Sequence, residues 1–269
     1  MTIPASGPIS MTVIAAEADL PITSPVSINH RSIRNVARVF TMNTRISYSD
    51  LQGKVRFSFE NGNFTSPLVD SGATYTTPGW TVYRQQVRLQ GIDSIGGFPT
   101  PTDSTKPGDS PGDNTNAIGF SYTATLDSSL PSGLSAPTTS IRLISNGVSA
   151  SYGIIHGPYL ISNNPVQLEA GDTATFYWKA EGGSDAYDIY SYLLNVNTGA
   201  TIELINQTGD SPGATTPWAQ VSKTISAAEA GNYKFVFVSG SFDFTGGTVL
   251  GASLYVTNII ITKWFTLLA

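Results

Sequence analysis

Lys54-Val55-Arg56-Phe57-Ser58-Phe59-Glu60 alternates without a break. Val55, Phe57 and Phe59 fall on one side, and Lys54, Arg56, Ser58 and Glu60 fall on the other. A period of two is that of a strand whose successive side chains point to opposite faces, one buried and one wet. Asn61-Gly62 follows, a pair that accepts the backbone angles of a tight turn. Downstream the same pattern recurs at Thr81–Gln90, Ile118–Leu126, Ser140–Ser145, Pro165–Leu168, Thr173–Lys179 and Tyr187–Val196. It continues at Thr201–Ile205, Ala219–Ile225, Tyr233–Ser239 and Ser253–Thr262. Gly, Pro, Asn and Asp clusters separate most of these runs. So many short strands, with almost no helical periodicity, predict a mostly β chain folded as a sandwich or barrel.

Residues 51–269 are expected to form one domain. Asp93 to Asn116 is rich in Pro, Gly, Asp and Thr, but the segment before it holds too few strands for an independent sandwich. It therefore reads as a long loop near 93–116 inside that domain. Gly-Asp-Ser-Pro-Gly occurs at Gly108–Gly112 and again at Gly209–Gly213, which is turn chemistry used twice rather than a repeat.

Upstream, residues 1–50 have a different character. Pro4, Pro8, Pro21 and Pro25 punctuate two short segments. Over 28–40, Ile33, Val36, Ala37 and Phe40 share one helical face, and Arg31, Arg34 and Arg38 share another. A helix this short is marginal alone. The segment is expected to be an extended and helical attachment arm that docks on a partner through Ile9, Ile28, Arg31, Ile33, Arg34, Val36, Arg38 and Phe40.

Composition narrows the chemistry. Of 269 residues, 40% are hydrophobic and 10% aromatic, enough for a packed core. Only 12% are charged, about half the usual ~25%. The surface is therefore covered largely by neutral hydrogen-bonding side chains, which suits glycan contact or close subunit packing. A net charge of −5 argues against a general nucleic-acid binder, which needs a basic field. With no cysteine, thiol catalysis, disulfides and zinc–thiolate sites are excluded. The start of the chain has no basic and apolar signal-peptide pattern, and no run is long enough for a membrane-spanning helix, so no membrane insertion is expected.

Two stretches carry resemblances. Ser6-Gly7-Pro8-Ile9-Ser10, Glu17, Pro25-Val26-Ser27-Ile28 and Arg34 together resemble a leader shared by many tailed-bacteriophage virion proteins. Asn29 stands where that leader often continues with Leu. The second lies in Gly171-Asp172-Thr173, Trp178-Lys179-Ala180, Gly183 to Asp188, Gly231 to Gly240 and Gly251 to Asn258, with Phe59 to Phe64 and Gly79-Trp80 upstream. These are similar to galactose-binding-like jelly rolls, a class that includes many carbohydrate-binding modules. The resemblance implies a single large jelly-roll-like β-sandwich behind the arm. Because such folds host many functions, the site must be argued separately.

Sugars stack on exposed rings. Trp80, Tyr83, Tyr177, Tyr187 and Trp218 are the candidates, since turns or polar neighbours flank them. Alternation assigns Phe176, Trp178, Tyr233, Phe235 and Phe237 to the core. The jelly-roll resemblance also implies a structural calcium, for which Asp185, Asp188 and Asp243 are the candidate ligands; no other cofactor is required. His30 and His156 are the two histidines, and no serine-elbow, zinc-protease or P-loop motif is present. No catalytic residue is assigned, and the chain is expected not to be an enzyme.

Three functions stay open at this point. The first is a structural component of a tailed-phage particle (tail, baseplate, fibre or decoration protein), made in the host cytoplasm. It would be anchored by its arm to other virion proteins, would form a homo-oligomer, and would display a domain for host surface glycans. The second is a carbohydrate-binding adhesin outside any virion. The third is a glycoside hydrolase or lyase, whose paired carboxylates leave no local sequence signature.

Overall fold

The computed structural model describes residues 54–85, 87, 119–148, 154–242, 244–245 and 251–264. The arm over 1–50, with all eight of its expected docking residues, and the loop over 93–116 lie outside them.

Among the described residues fourteen strands follow one another: β1 (Lys54–Ser58), β2 (Val69–Asp70), β3 (Thr74–Thr77), β4 (Trp80–Tyr83), β5 (Gly119–Asp127), β6 (Ser140–Val148) and β7 (Ile154–Ser162). Then come β8 (Val166–Leu168), β9 (Thr173–Glu181), β10 (Ala186–Asn195), β11 (Thr201–Thr208), β12 (Ala219–Thr224), β13 (Gly231–Phe242) and β14 (Ala252–Trp264). They form two antiparallel sheets. The first runs β12-β9-β14-β6-β5, with β1 also beside β14. The second runs β11-β10-β13-β7-β4-β3-β2, with β8 beside β13. The expected mostly β sandwich is the fold observed. Among the described residues no helix is long and apolar enough to cross a membrane.

The core lies between the sheets and is strongly aromatic. Phe176 of the first sheet meets Phe237 of the second edge-on, with ring centroids 5.0 Å apart. Trp80 sits among Phe59, Phe64, Phe235 and Phe237, and its indole N–H donates to the Glu60 carbonyl at 2.8 Å. Burial of each such ring stabilises the fold by about 2–3 kcal/mol. Phe176, Trp178, Tyr233, Phe235 and Phe237 are all buried, as alternation requires.

The Asn61-Gly62 turn docks against β14. Asn61 takes a φ of 48°, and the Ile259 N–H donates to the Gly62 carbonyl at 2.9 Å. A Cβ on Gly62 would stand 2.5 Å from the Ile259 carbonyl oxygen, so the approach requires glycine.

Two elements depart from the sequence reading. His156-Gly157-Pro158-Tyr159, whose Gly-Pro pair reads as a turn in sequence, lies inside β7, a central strand of the second sheet. The β7–β13 register shifts between Val238 and Gly240, so the ladder is irregular where Pro158 has no N–H to give. β10 is buried at all ten positions. Tyr187, Ile189 and Leu193 enter the sandwich core, while Tyr190, Tyr192 and Leu194 join a second buried cluster with Tyr159, Ile161, Val236 and Val238 on the outer face of the second sheet.

Candidate functional site

The outer face of the first sheet gathers its chemistry in one cross-strand row. On β9 burial alternates, so Phe176, Trp178 and Ala180 point inward, while Tyr177, Lys179 and Glu181 point outward. Tyr255 of β14 pairs with Lys179 on one side and with Arg142 of β6 on the other. Ala219 pairs with Trp178, which places Trp218 beside Lys179 one step earlier. The row therefore reads Trp218, Lys179, Tyr255, Arg142 across four neighbouring strands, spanning roughly 14 Å at about 4.8 Å per strand. Gln220 and Tyr177 form the adjoining pair.

Local bonds hold the row in place. Thr216 N–H donates to the Ala180 carbonyl at 2.9 Å, and the Thr216 hydroxyl accepts from Ala180 N–H at 2.8 Å. Pro217 then interrupts the ladder, and pairing resumes at Ala219. Trp218 is thus fixed from both sides and half-buried. Its ring meets Tyr255 edge-on at 6.2 Å. Lys179 Nζ lies 4.3 Å from the Tyr255 ring centre and 5.8 Å from that of Trp218, and the Arg142 guanidinium lies 5.2 Å from Tyr255. Tyr255, 3% exposed, is the floor of the row, and the other side chains stand around it.

Glu181 joins these groups. Its carboxylate accepts from Lys179 Nζ at 2.6 Å and from the Tyr255 hydroxyl at 2.7 Å, and Arg142 lies 4.0 Å away. Partial burial acts to raise the pKa of Glu181. The hydrogen bonds from Lys179 and Tyr255 and the two nearby cations outweigh it and hold the carboxyl below its ordinary value. Burial, then the Glu181 hydrogen bond, push the Tyr255 phenol up. Glu181 is therefore a firmly ionised acceptor at neutral pH, and Tyr255 a neutral donor. Such a surface offers ring faces, fixed hydrogen-bonding groups and little freedom to lose on contact.

The candidates from sequence separate. Trp218 belongs to the row, and Tyr177 stands beside it. Trp80 must be corrected: it is 0% exposed and is a core residue, because β4 turns it toward Phe235 and Phe237. Tyr187 is corrected likewise, since it is 5% exposed and part of the sandwich core. Tyr83 is half-buried on the outer face of the other sheet, stacked on Tyr159 at 4.9 Å.

Of the calcium candidates, Asp185 and Asp188 engage separate partners. Asp185 accepts at Oδ2 from the Thr245 N–H and hydroxyl, at 3.1 and 2.9 Å. Asp188 instead faces His156 Nε2 at 3.7 Å and accepts from Thr208 at 3.3 Å. Calcium takes six to eight oxygens. Among the described residues no group of three or more His, Asp or Glu is placed to hold a metal ion, and Asp243 lies outside those residues.

Lys179, Tyr255, Arg142 and Glu181 are not among the candidates that the sequence singles out. The usable signal was parity: Lys179 and Glu181 alternate with core Trp178 and Ala180, and Tyr255 alternates with Leu254 and Val256. That these strands are neighbours was not local information.

No family profile and no curated protein matches the chain. Solved structures with some likeness include a carbohydrate-binding module from a study of promiscuous specificity in the β-sandwich superfamily, at 13% identity and TM-score 0.33, covering 56% of this chain and 54% of that one. A module in complex with β-1,4-galactotriose is 11% identical with TM-score 0.32, covering 57% and 92%. The enzymatically active domain of bacteriophage CBA120 tailspike protein 4 is 15% identical with TM-score 0.30, covering 52% of this chain and 17% of that chain.

Proposed function

We propose that this protein is a non-catalytic carbohydrate-binding module whose ligand lies across the outer face of the first sheet. The observation that carries the reading is the half-buried pair Trp218 and Tyr177 beside Gln220 and the fixed Lys179–Glu181–Arg142 group, all on one face. A sugar ring stacks its C–H face on Trp218, and its hydroxyls bond to Gln220, Glu181 and Arg142. Glu181 is poorly suited to general-acid work, because its partners favour the ionised form. Retention on immobilised polysaccharides tests the proposal. Wild type is retained on at least one, and Trp218→Ala loses most of that retention while its Tm falls by only a few degrees. Equal retention of the two proteins would sink this site.

The leader pattern in residues 6–34 supports a second element of the same reading: the module is carried on a tailed-phage particle by its arm. A chain lacking residues 1–50 then folds and binds glycan but does not join particles. Incorporation of the truncated chain at normal levels would remove the anchoring role.

A further inference from the structure

The two cations of the row are already committed. Lys179 Nζ is 2.6 Å from Glu181 Oε1, and Arg142 lies 4.0 Å from Oε2 while its Nε donates to the Ser253 hydroxyl at 3.1 Å. Asp127, on the same face of β5 as Thr125, adds a second carboxylate whose field reaches Tyr255. Lys179 and Arg142 therefore share the Glu181 carboxylate, and Asp127, which accepts from the Ser129 N–H, adds negative charge on the same face. The remaining outward groups nearby are neutral: Trp218, Tyr177, Gln220, Ser222, Thr123 and Thr125. Glu181 is itself held on both sides. Its backbone pairs with Ser253 on one side and bridges to Thr215 on the other.

We infer that Glu181 is a specificity-determining residue: by occupying Lys179 and Arg142 it makes the face select neutral glycans and reject the attraction of acidic ones. The inference rests on the proposed glycan-binding role of this face. An acidic sugar placed here meets cations that already have a carboxylate partner, and it brings its own charge close to Glu181 at a repulsive distance. Without the Glu181 charge, the same two cations lose their shared carboxylate beside the Tyr255 ring and become an anion clamp.

The test uses the full chain on columns of neutral polysaccharides (a β-glucan, a galactan and a mannan) and of a polyuronate. Wild type is expected on a neutral column, with retention unchanged by salt, and to pass through the polyuronate. Glu181→Gln is expected to gain polyuronate binding by about tenfold or more at low salt and to lose it toward 1 M salt, where the screening length is about 3 Å. Adding Arg142→Gln to that variant is expected to abolish the gain, which ties the effect to the freed cation rather than to altered folding. Wild-type retention on the polyuronate equal to that on the neutral columns overturns the inference and leaves the glycan-binding proposal standing. Retention of Glu181→Gln on the polyuronate no greater than that of wild type also overturns it. If wild type binds no glycan, the proposed function falls, and the inference falls with it.

Discussion

Replacing Trp80 and, separately, Trp218 with alanine tests the division between core and surface. Trp80 is 0% exposed, with ring centroids 5.1 Å from Phe59, 5.6 Å from Phe64, 6.2 Å from Phe237 and 6.4 Å from Phe235. Removing a buried Trp costs about 3–5 kcal/mol through lost transfer energy and the cavity left behind. The Glu60 carbonyl also loses its indole donor, which adds about 1 kcal/mol. For a domain of this size each kcal/mol lowers Tm by roughly 2–4 °C, so Trp80→Ala is expected to melt roughly 10–20 °C below wild type. Trp218 makes an edge contact with Tyr255 and a Lys179 cation–π contact at 5.8 Å, together about 1–2 kcal/mol. Its replacement lowers Tm by only a few degrees. The assay is a thermal and urea melt of both variants, paired with glycan retention measured well below either Tm. Trp80→Ala keeps its retention per folded molecule, and Trp218→Ala loses it. A Trp80→Ala protein that melts with wild type, or a Trp218→Ala protein destabilised as deeply as Trp80→Ala, would refute the assignment of faces.

Gly62→Ala places a Cβ 2.5 Å from the Ile259 carbonyl oxygen and is expected to cost about 1–3 kcal/mol in a urea melt, as overpacking does. Gly79→Ala adds the strain of a φ of +78°, about 1–2 kcal/mol, to a contact 2.6 Å from the Glu60 carbonyl oxygen. Glu229 is pulled down to about 2, first by its hydrogen bond from Lys223 and then by that from the Ser226 N–H. Because the folded value lies below the ordinary 4.5, its contribution is complete above that pH and is lost as pH falls from about 4.5 toward 2. The Glu229 side chain is part-exposed and its ion pair is screened by solvent, so Lys223→Met should remove less than about 1 kcal/mol at pH 7 and flatten part of the acid limb of stability against pH. Tyr255→Phe removes the 2.7 Å hydrogen bond to Glu181. It is expected to cost about 1 kcal/mol and to let the Glu181 pKa climb, read by carboxyl-carbon NMR titration.

The arrangement explains why part of this protein was legible in one dimension. Strand-forming alternation is a property of consecutive residues, so Val55 to Phe59, Thr173 to Lys179 and Tyr233 to Ser239 announced strands, and the inward set Phe176, Trp178, Phe235 and Phe237 followed by parity. Parity failed where the chain leaves its period. In β14 the register shifts between Thr257 and Ile260, with Asn258 at a φ of 55°. Leu254 and Val256 enter the core before the shift, and Ile259 and Ile261 after it. One inserted residue moves every later side chain to the other face.

Local reading also misplaced Trp80 and Tyr187. Each stands beside glycine or a polar residue, which looks like exposure when only chain neighbours are seen. Burial is set instead by what the opposite sheet presents. Sequence by itself determined the β class, most strand positions, the aromatic core set and the near-neutral polar surface. Tertiary structure alone decided that β12, β9, β14 and β6 lie side by side, and so that Trp218, Lys179, Tyr255 and Arg142 form one row around Glu181. The physical reason is that alternation is written between adjacent residues. Strand neighbours are chosen by the packing of the whole sheet, across separations as large as the 113 positions between Arg142 and Tyr255 (255 − 142).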